Sequence, residues 1–253
     1  MNRTAGWTIA IAGVVLALVA IWIDSFQGSS YWSDGTTGVF LLIVAAIAGL
    51  ALLAEYAGRR PASGWAFAAG AVLFGFYAFL PVALAFDNWD FLDAGAWLGV
   101  AGGGLIMIGV AATYMATARP ASTPAGTTSG SLAAALGVAL VFPAIFLDSL
   151  EGASYWSFGT FGHALGIVLL VLAIASGLVW AASVSGTATW GLDQALTLVL
   201  LGLLAVLPVG AAFGDFGSLE PGAWLGLAGG LLAAGGTWAA RGGQLPHAAP
   251  APA

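Results

Sequence analysis

The stretch DSFQGSSYWSDGTTG at residues 24–38 returns 124 residues later (24 to 148) as DSLEGASYWSFGTFG at residues 148–162. Two further motifs recur at a spacing of 127 residues (80 to 207). They are Leu-Pro-Val at 80–82 and 207–209, and Gly-Ala-Trp-Leu-Gly at 95–99 and 222–226. Because self-similarity at a long, nearly fixed period is the signature of a repeated structural unit, the chain is predicted to contain a duplication.

The composition restricts the class of protein. The chain has 253 residues, of which 60% are hydrophobic and 6% are charged, and its mean hydropathy is +1.00. Since soluble domains carry about 25% charged residues, a soluble globular protein and a disordered chain are excluded. Five arginines and no lysine cannot neutralise a nucleic-acid backbone. The absence of cysteine excludes disulfides, thiol catalysis and Cys-ligated metals.

Apolar stretches of the required length predict eight transmembrane helices. A helix needs about 20 apolar residues to cross the hydrocarbon core. The predicted helices cover residues 6–24, 36–57, 64–87, 94–118, 131–148, 160–182, 190–213 and 221–241. The first is expected to be a retained helix rather than a signal peptide, because its counterpart recurs inside the chain.

The predicted fold class is an all-α integral membrane bundle of two tandem four-helix repeats. The repeats cover residues 1–118 and 131–241, with a cytoplasmic linker at 119–130 and a flexible cytoplasmic tail at 242–253. Because each repeat has an even number of helices, both should cross the membrane in the same sense, related by a pseudo-two-fold axis along the membrane normal.

The arginines predict the orientation. All five lie on one side of the predicted bundle, which the positive-inside rule makes cytoplasmic. They are Arg3, Arg59, Arg60, Arg119 and Arg241. We therefore expect a multipass plasma-membrane protein with both termini in the cytoplasm.

Glycines spaced by four residues predict close helix packing in the fourth and eighth helices. They are Gly95, Gly99 and Gly103, and Gly222, Gly226 and Gly230. Small residues at this spacing let helix backbones approach closely in lipid. These two helices should pack against close neighbours, with a contact between them across the axis as one option. The alternative is that glycine is simply abundant, since the chain has 38.

The predicted membrane interior is poor in reactive groups. It holds one histidine, His163, which rules out paired histidine ligands for a haem. Without lysine there is no Schiff base, and no carboxylate lies near mid-depth to relay protons. The sequence therefore predicts a protein that is not an enzyme and needs no cofactor.

Acidic residues gather on the predicted outer face. Four aspartates are expected at the outward C-terminal ends of helices, where the helix dipole disfavours them. They are Asp24, Asp87, Asp148 and Asp215, with Glu151 and His163 nearby. A hard cation such as Ca²⁺ or a basic partner segment could compensate this charge. The alternative is that acids merely mark the points where apolar helices enter water.

The duplicated outer loop carries aromatic residues. Tyr31 and Trp32 recur as Tyr155 and Trp156. Such residues are typical membrane-interface anchors, and the alternative is a docking surface presented twice.

An apolar helix, a short Trp-containing outer loop and a Gly-Ala-Trp-Leu-Gly helix together resemble multipass membrane proteins of high-GC bacteria. This resemblance implies no activity. The favoured prediction is a non-catalytic accessory or assembly subunit that binds lipid or other membrane proteins and no nucleic acid. The alternative is a cation channel or carrier with an acidic outer rim.

Overall fold

The computed structural model describes residues 3–33, 35–57, 63–83, 89–115, 129–157, 163–185, 192–211 and 216–240. In this part of the chain the fold is all-helical, with eight α-helices that overlap the eight predicted segments. They are α1 (Arg3–Ala20), α2 (Thr36–Tyr56), α3 (Ser63–Ala83), α4 (Ala94–Met115), α5 (Ser129–Phe146), α6 (Ala164–Val184), α7 (Leu192–Ala211) and α8 (Pro221–Ala240). We call α1–α4 the first unit and α5–α8 the second unit.

Two short β-hairpins, which the sequence did not predict, follow α1 and α5. The first pairs β1 (Asp24–Phe26) with β2 (Ser29–Ser30), and the second pairs β3 (Asp148–Leu150) with β4 (Ala153–Ser154). Both are antiparallel and have the same register, since Asp24 faces Ser30 as Asp148 faces Ser154.

Six helices, α2 to α7, are long and apolar enough to cross a membrane, which indicates a multipass membrane protein. Helix formation satisfies the backbone hydrogen bonds that lipid cannot. The described part of α1 (Thr4–Ala20) is apolar but shorter, and α8 has a glycine-rich sequence.

The most extensive helix contacts are α1 on α4 and α5 on α8. In the first pair, Gly6 contacts Thr113 at one end and Gly95 contacts the Ile23 carbonyl at the other, so the helices run antiparallel along their full length. In the second pair, Gly130 contacts Ala240 and Gly222 contacts the Leu147 carbonyl. The α1–α4 pair and the α5–α8 pair therefore have the same arrangement.

The two units meet mainly through α3 and α7. A Cβ at Gly75 would collide with the Val199 carbonyl, and a Cβ at Gly202 with the Val72 carbonyl. This contact is reciprocal, because Val72 and Gly75 are the counterparts of Val199 and Gly202 at the spacing of 127 residues. The option of an α4–α8 interface is wrong: α4 packs on α1 and α3, and α8 packs on α5 and α7.

Both hairpins lie at the same end of the bundle. The rings of Trp65, at the start of α3, and Trp238, at the end of α8, are 5.3 Å apart. The start of α3 and the end of α8 are the ends of these helices farthest from their own hairpins. We call the two ends of the molecule the hairpin end and the opposite end.

Candidate functional site

The turn of each hairpin is built from two residues with positive φ. They are Gln27 (49°) and Gly28 (75°) in the first hairpin, and Glu151 (50°) and Gly152 (77°) in the second. Two-residue hairpin loops favour such a turn because its twist matches that of the strands, and glycine enters this region without strain. The dipeptides Gln-Gly and Glu-Gly were the available sequence signal for these hairpins.

A carboxylate at the start of the last helix of each unit holds the hairpin turn. The Asp93 Oδ2 atom accepts a hydrogen bond from Gly28 N at 2.8 Å, and the Glu220 Oε1 atom accepts one from Gly152 N at 3.0 Å. Asp93 and Glu220 come directly before α4 and α8. The backbone N–H groups of the same two residues donate to the Ser25 and Ser149 carbonyls of the first strands, each at 3.1 Å. Each hairpin is therefore fixed near its base as well as at its turn.

The tyrosines of the recurring loop are buried anchors. Tyr31 and Tyr155 are 8% and 0% exposed, and burial raises the pKa of both phenols, which keeps them neutral. Tyr31 packs edge-to-face on Tyr77 with its hydroxyl unpartnered, whereas the Tyr155 hydroxyl donates to the Leu204 carbonyl at 3.4 Å. Of the four residues predicted for the outer-loop surface, only the tryptophans reach it.

Trp32 and Trp156 sit among other rings at the hairpin end. Trp32 is 43% exposed and lies 5.7 Å from the ring of Trp22. Trp156 is partly exposed and stacks on the exposed imidazole of His163 at 5.2 Å. The His163 Nδ1 atom also lies 2.7 Å from the Trp156 carbonyl oxygen. Rings at this level suit a membrane–water interface.

The acidic residues of the predicted rim are dispersed in the described part of the chain. Asp24 and Asp148 are exposed and begin strands β1 and β3, so their placement at helix C-termini was wrong: α1 ends at Ala20 and α5 at Phe146. Glu151 is exposed at its hairpin turn. Asp87 and Asp215 lie outside the described residues. No group of three or more His, Asp or Glu side chains among the described residues could hold a metal ion.

The glycines predicted to mediate packing contact different elements. Gly95 and Gly222 lie against the backbone that enters each hairpin. Gly99 faces the Tyr77 ring, and Gly226 faces the Leu204 side chain. Gly103 lies against the α3 backbone at Phe74, and a Cβ at Gly230 would be 3.2 Å from Leu201 Cα in α7. Gly99 and Gly103 therefore join α4 to α3, and Gly226 and Gly230 join α8 to α7, whereas Gly95 and Gly222 join their helices to the hairpins.

A buried polar cluster at the opposite end was not predicted. Its four side chains are 1–4% exposed. They are Asp193, Gln194 and Thr197 on α7 and Thr237 on α8, hereafter the α7–α8 polar cluster. A signal was available in the sequence, because the counterparts in the first unit are apolar: Ala66, Phe67, Gly70 and Val110.

The chain matches no family model, no curated protein and no solved structure. The fold defines an all-helical, multipass membrane protein.

Proposed function

We propose that the protein is a non-catalytic membrane scaffold made of two copies of one four-helix unit that cross the membrane in the same direction. A pseudo-two-fold axis would pass between α3 and α7. The reciprocal contacts of Gly75 and Gly202 support this axis, because a two-fold interface places the same residues of each unit opposite one another. The shared position of both hairpins at one end supports the common direction.

We further propose that all eight helices cross the bilayer. The helices α1 and α8 pack along the full length of α4 and α5, which are themselves long and apolar enough to span. A helix that runs beside a spanning helix over its whole length lies at the same depth. In this arrangement the hairpin end faces outward and both termini lie in the cytoplasm of a plasma-membrane protein, as the arginines predict.

The observation that carries the scaffold proposal is the seam between the units. Where Gly75 and Gly202 cross, the backbones of α3 and α7 are in direct contact. The surrounding side chains of Leu73, Phe76 and Leu200 are buried and apolar. Most buried polar side chains lie nearer the helix ends, while Ser176 lies deeper within α6. A tightly packed apolar seam favours a rigid support over a cation channel or carrier.

The surface we propose for a membrane-protein partner is the paired set of tryptophans at the hairpin end. Trp32 and Trp156 are held at the surface by hairpins that are fixed at base and turn. Large, rigid aromatic side chains dominate contact energy at interfaces. Lipid headgroups would cover the same rings where no protein does.

Native mass spectrometry of the protein extracted in lipid nanodiscs tests this function. We expect a bound membrane protein whose occupancy falls at least tenfold in the Trp32→Ala/Trp156→Ala double variant. Tyr56→Ala is the matched control, because Tyr56 is 80% exposed and lies at the opposite end. A solitary protein without a protein partner would contradict the proposal.

Reconstitution into proteoliposomes tests the alternative. The scaffold predicts cation flux equal to that of protein-free vesicles. Flux above that level, unchanged after Asp24→Asn and Asp148→Asn, would favour a channel that does not use the acidic residues.

A further inference from the structure

The α7–α8 polar cluster has the composition of a ligand site. Asp193, Gln194 and Thr197 lie within the first two turns of α7. Since residues three and four apart share a helix face, Gln194 and Asp193 are on the same side as Thr197. That side meets α8, because the Thr197 and Thr237 hydroxyl oxygens are 3.2 Å apart.

Gln194 is the strongest indication of a bound group. Its side chain is 1% exposed, and neither Oε1 nor Nε2 has a hydrogen-bond partner among the residues that the structure describes. Burying an amide without hydrogen bonds is costly, so native proteins almost always provide a partner, often a water or an ion. The counterpart in the first unit, Phe67, carries no such group.

The threonine pair adds two oxygen ligands. Thr197 can donate its proton to the Asp193 carbonyl at 2.9 Å, and Thr237 can donate to the Ala234 carbonyl at 2.9 Å. The two hydroxyl oxygens lie 3.2 Å apart, so one hydroxyl can also donate to the other. In each of these arrangements the hydroxyl oxygens keep a lone pair that a cation could use.

We propose that Gln194 Oε1, Thr197 Oγ1 and Thr237 Oγ1 bind a small monovalent alkali cation. Asp193, which is buried, lies one helical turn before Thr197 on the same side of α7. Hard cations prefer oxygen ligands, and membrane transporters bind Na⁺ through uncharged oxygen atoms at the ends of broken helices. A water molecule on the ion would accept a hydrogen bond from Gln194 Nε2. The ion would join α7 to α8 in the second unit only.

Thermal unfolding of the purified full-length protein in detergent tests the site. The chloride salts of lithium, sodium and potassium are compared with choline chloride at one ionic strength. We expect one alkali cation to raise Tm by a few degrees in a saturable manner, since a ligand that binds only the folded state stabilises it. Equal Tm values in choline and all three alkali salts would overturn the proposal.

Two variants separate cation binding from a structural role. Thr237→Val installs the residue of the first unit and should weaken the cation response at least tenfold, whereas Thr113→Val, at a buried threonine outside the cluster, should retain it. Gln194→Leu should abolish the response while keeping or raising Tm in choline, because the unpaired amide is gone. If Thr237→Val fails to fold, Gln194→Leu decides alone. A full cation response in Gln194→Leu would overturn the proposal.

Discussion

The two ends of the molecule differ in how closely the second unit copies the first. At the hairpin end, the turn conformation, the strand register and the carboxylate hydrogen bond recur in both units. At the opposite end, the apolar residues Ala66 and Phe67 are replaced by Asp193 and Gln194. The contacts at the hairpin end are therefore common to both units. The first unit forms the corresponding four helices with apolar residues at the opposite end, so the four-helix arrangement does not require the polar side chains of the second unit.

The largest expected effect comes from filling the seam between the units. We expect Gly202→Ala to destabilise the protein by about 2–3 kcal/mol, because its Cβ would collide with the α3 backbone. Gly235→Ala is the matched control on α8, where a Cβ meets nothing within 4 Å. It should be neutral or stabilise by about 0.5–1 kcal/mol. Tryptophan fluorescence measures the unfolding temperatures. Equal values for the two variants would contradict the close contact between α3 and α7 at Gly202.

Alanine placed in the α1–α4 and α5–α8 contacts should lower the free energy of unfolding slightly less than alanine in the seam. The loss should be similar in the two units. A Cβ at Gly13 would lie 2.6 Å from Ile106 N, and a Cβ at Gly137 would lie 2.6 Å from the Gly229 carbonyl oxygen. We expect alanine at either position to cost about 1–3 kcal/mol, with the two losses within about 1 kcal/mol of each other. Gly177→Ala, with its nearest contact at 3.8 Å, serves as the control. A loss confined to one unit would show that the pairs are not equivalent.

The tyrosine pair of the first unit allows a sharper comparison. The Tyr77 hydroxyl donates to the Ala17 carbonyl at 2.8 Å, so Tyr77→Phe should cost about 1 kcal/mol. The buried Tyr31 hydroxyl has no hydrogen-bond partner in the described part of the chain, so Tyr31→Phe should be neutral or stabilising. Chemical or thermal unfolding of both variants measures the two changes in stability. A larger loss of stability for Tyr31→Phe than for Tyr77→Phe would contradict the hydrogen bonding described for the two hydroxyls.

The smallest effects are expected at the hairpin turns. Asp93→Ala and Glu220→Ala each remove one exposed hydrogen bond to a glycine N–H. We expect losses of about 0.5–1.5 kcal/mol, together with faster amide exchange at Gly28 and Gly152. Hydrogen-exchange mass spectrometry measures this directly, and unchanged exchange in both variants would show that the carboxylates do not hold the turns.

The helices could be predicted from the sequence because a helix that crosses lipid needs about 20 consecutive apolar residues. The hairpins could not be anticipated by the same rule, since strands of two and three residues carry little periodicity. Their signal was the glycine after Gln27 and after Glu151, which permits a positive-φ turn. Asp24 and Asp148 were consequently placed on helices rather than strands.

Some of the glycine contacts could be predicted from the sequence and others were missed. Spacing by four identified Gly99 and Gly103, which approach α3. Spacing by seven, at Gly6 and Gly13 and again at Gly130 and Gly137, marks the α1–α4 and α5–α8 contacts and was missed. The seam at Gly75 and Gly202 could not be found from spacing, because one glycine on each helix forms it. A comparison of the repeats position by position would have revealed both this pair and the α7–α8 polar cluster.

Labelling of single cysteines tests the central claim most directly, because the natural chain has none. Cysteines would replace Gln27 and Glu151 at the hairpin turns, and the exposed Ala57 and Ser185 at the opposite end. Two parallel units predict that a membrane-impermeant maleimide labels both turn positions on intact cells and labels the other two only after permeabilisation. Labelling of the two turns from opposite sides of the membrane would contradict the account.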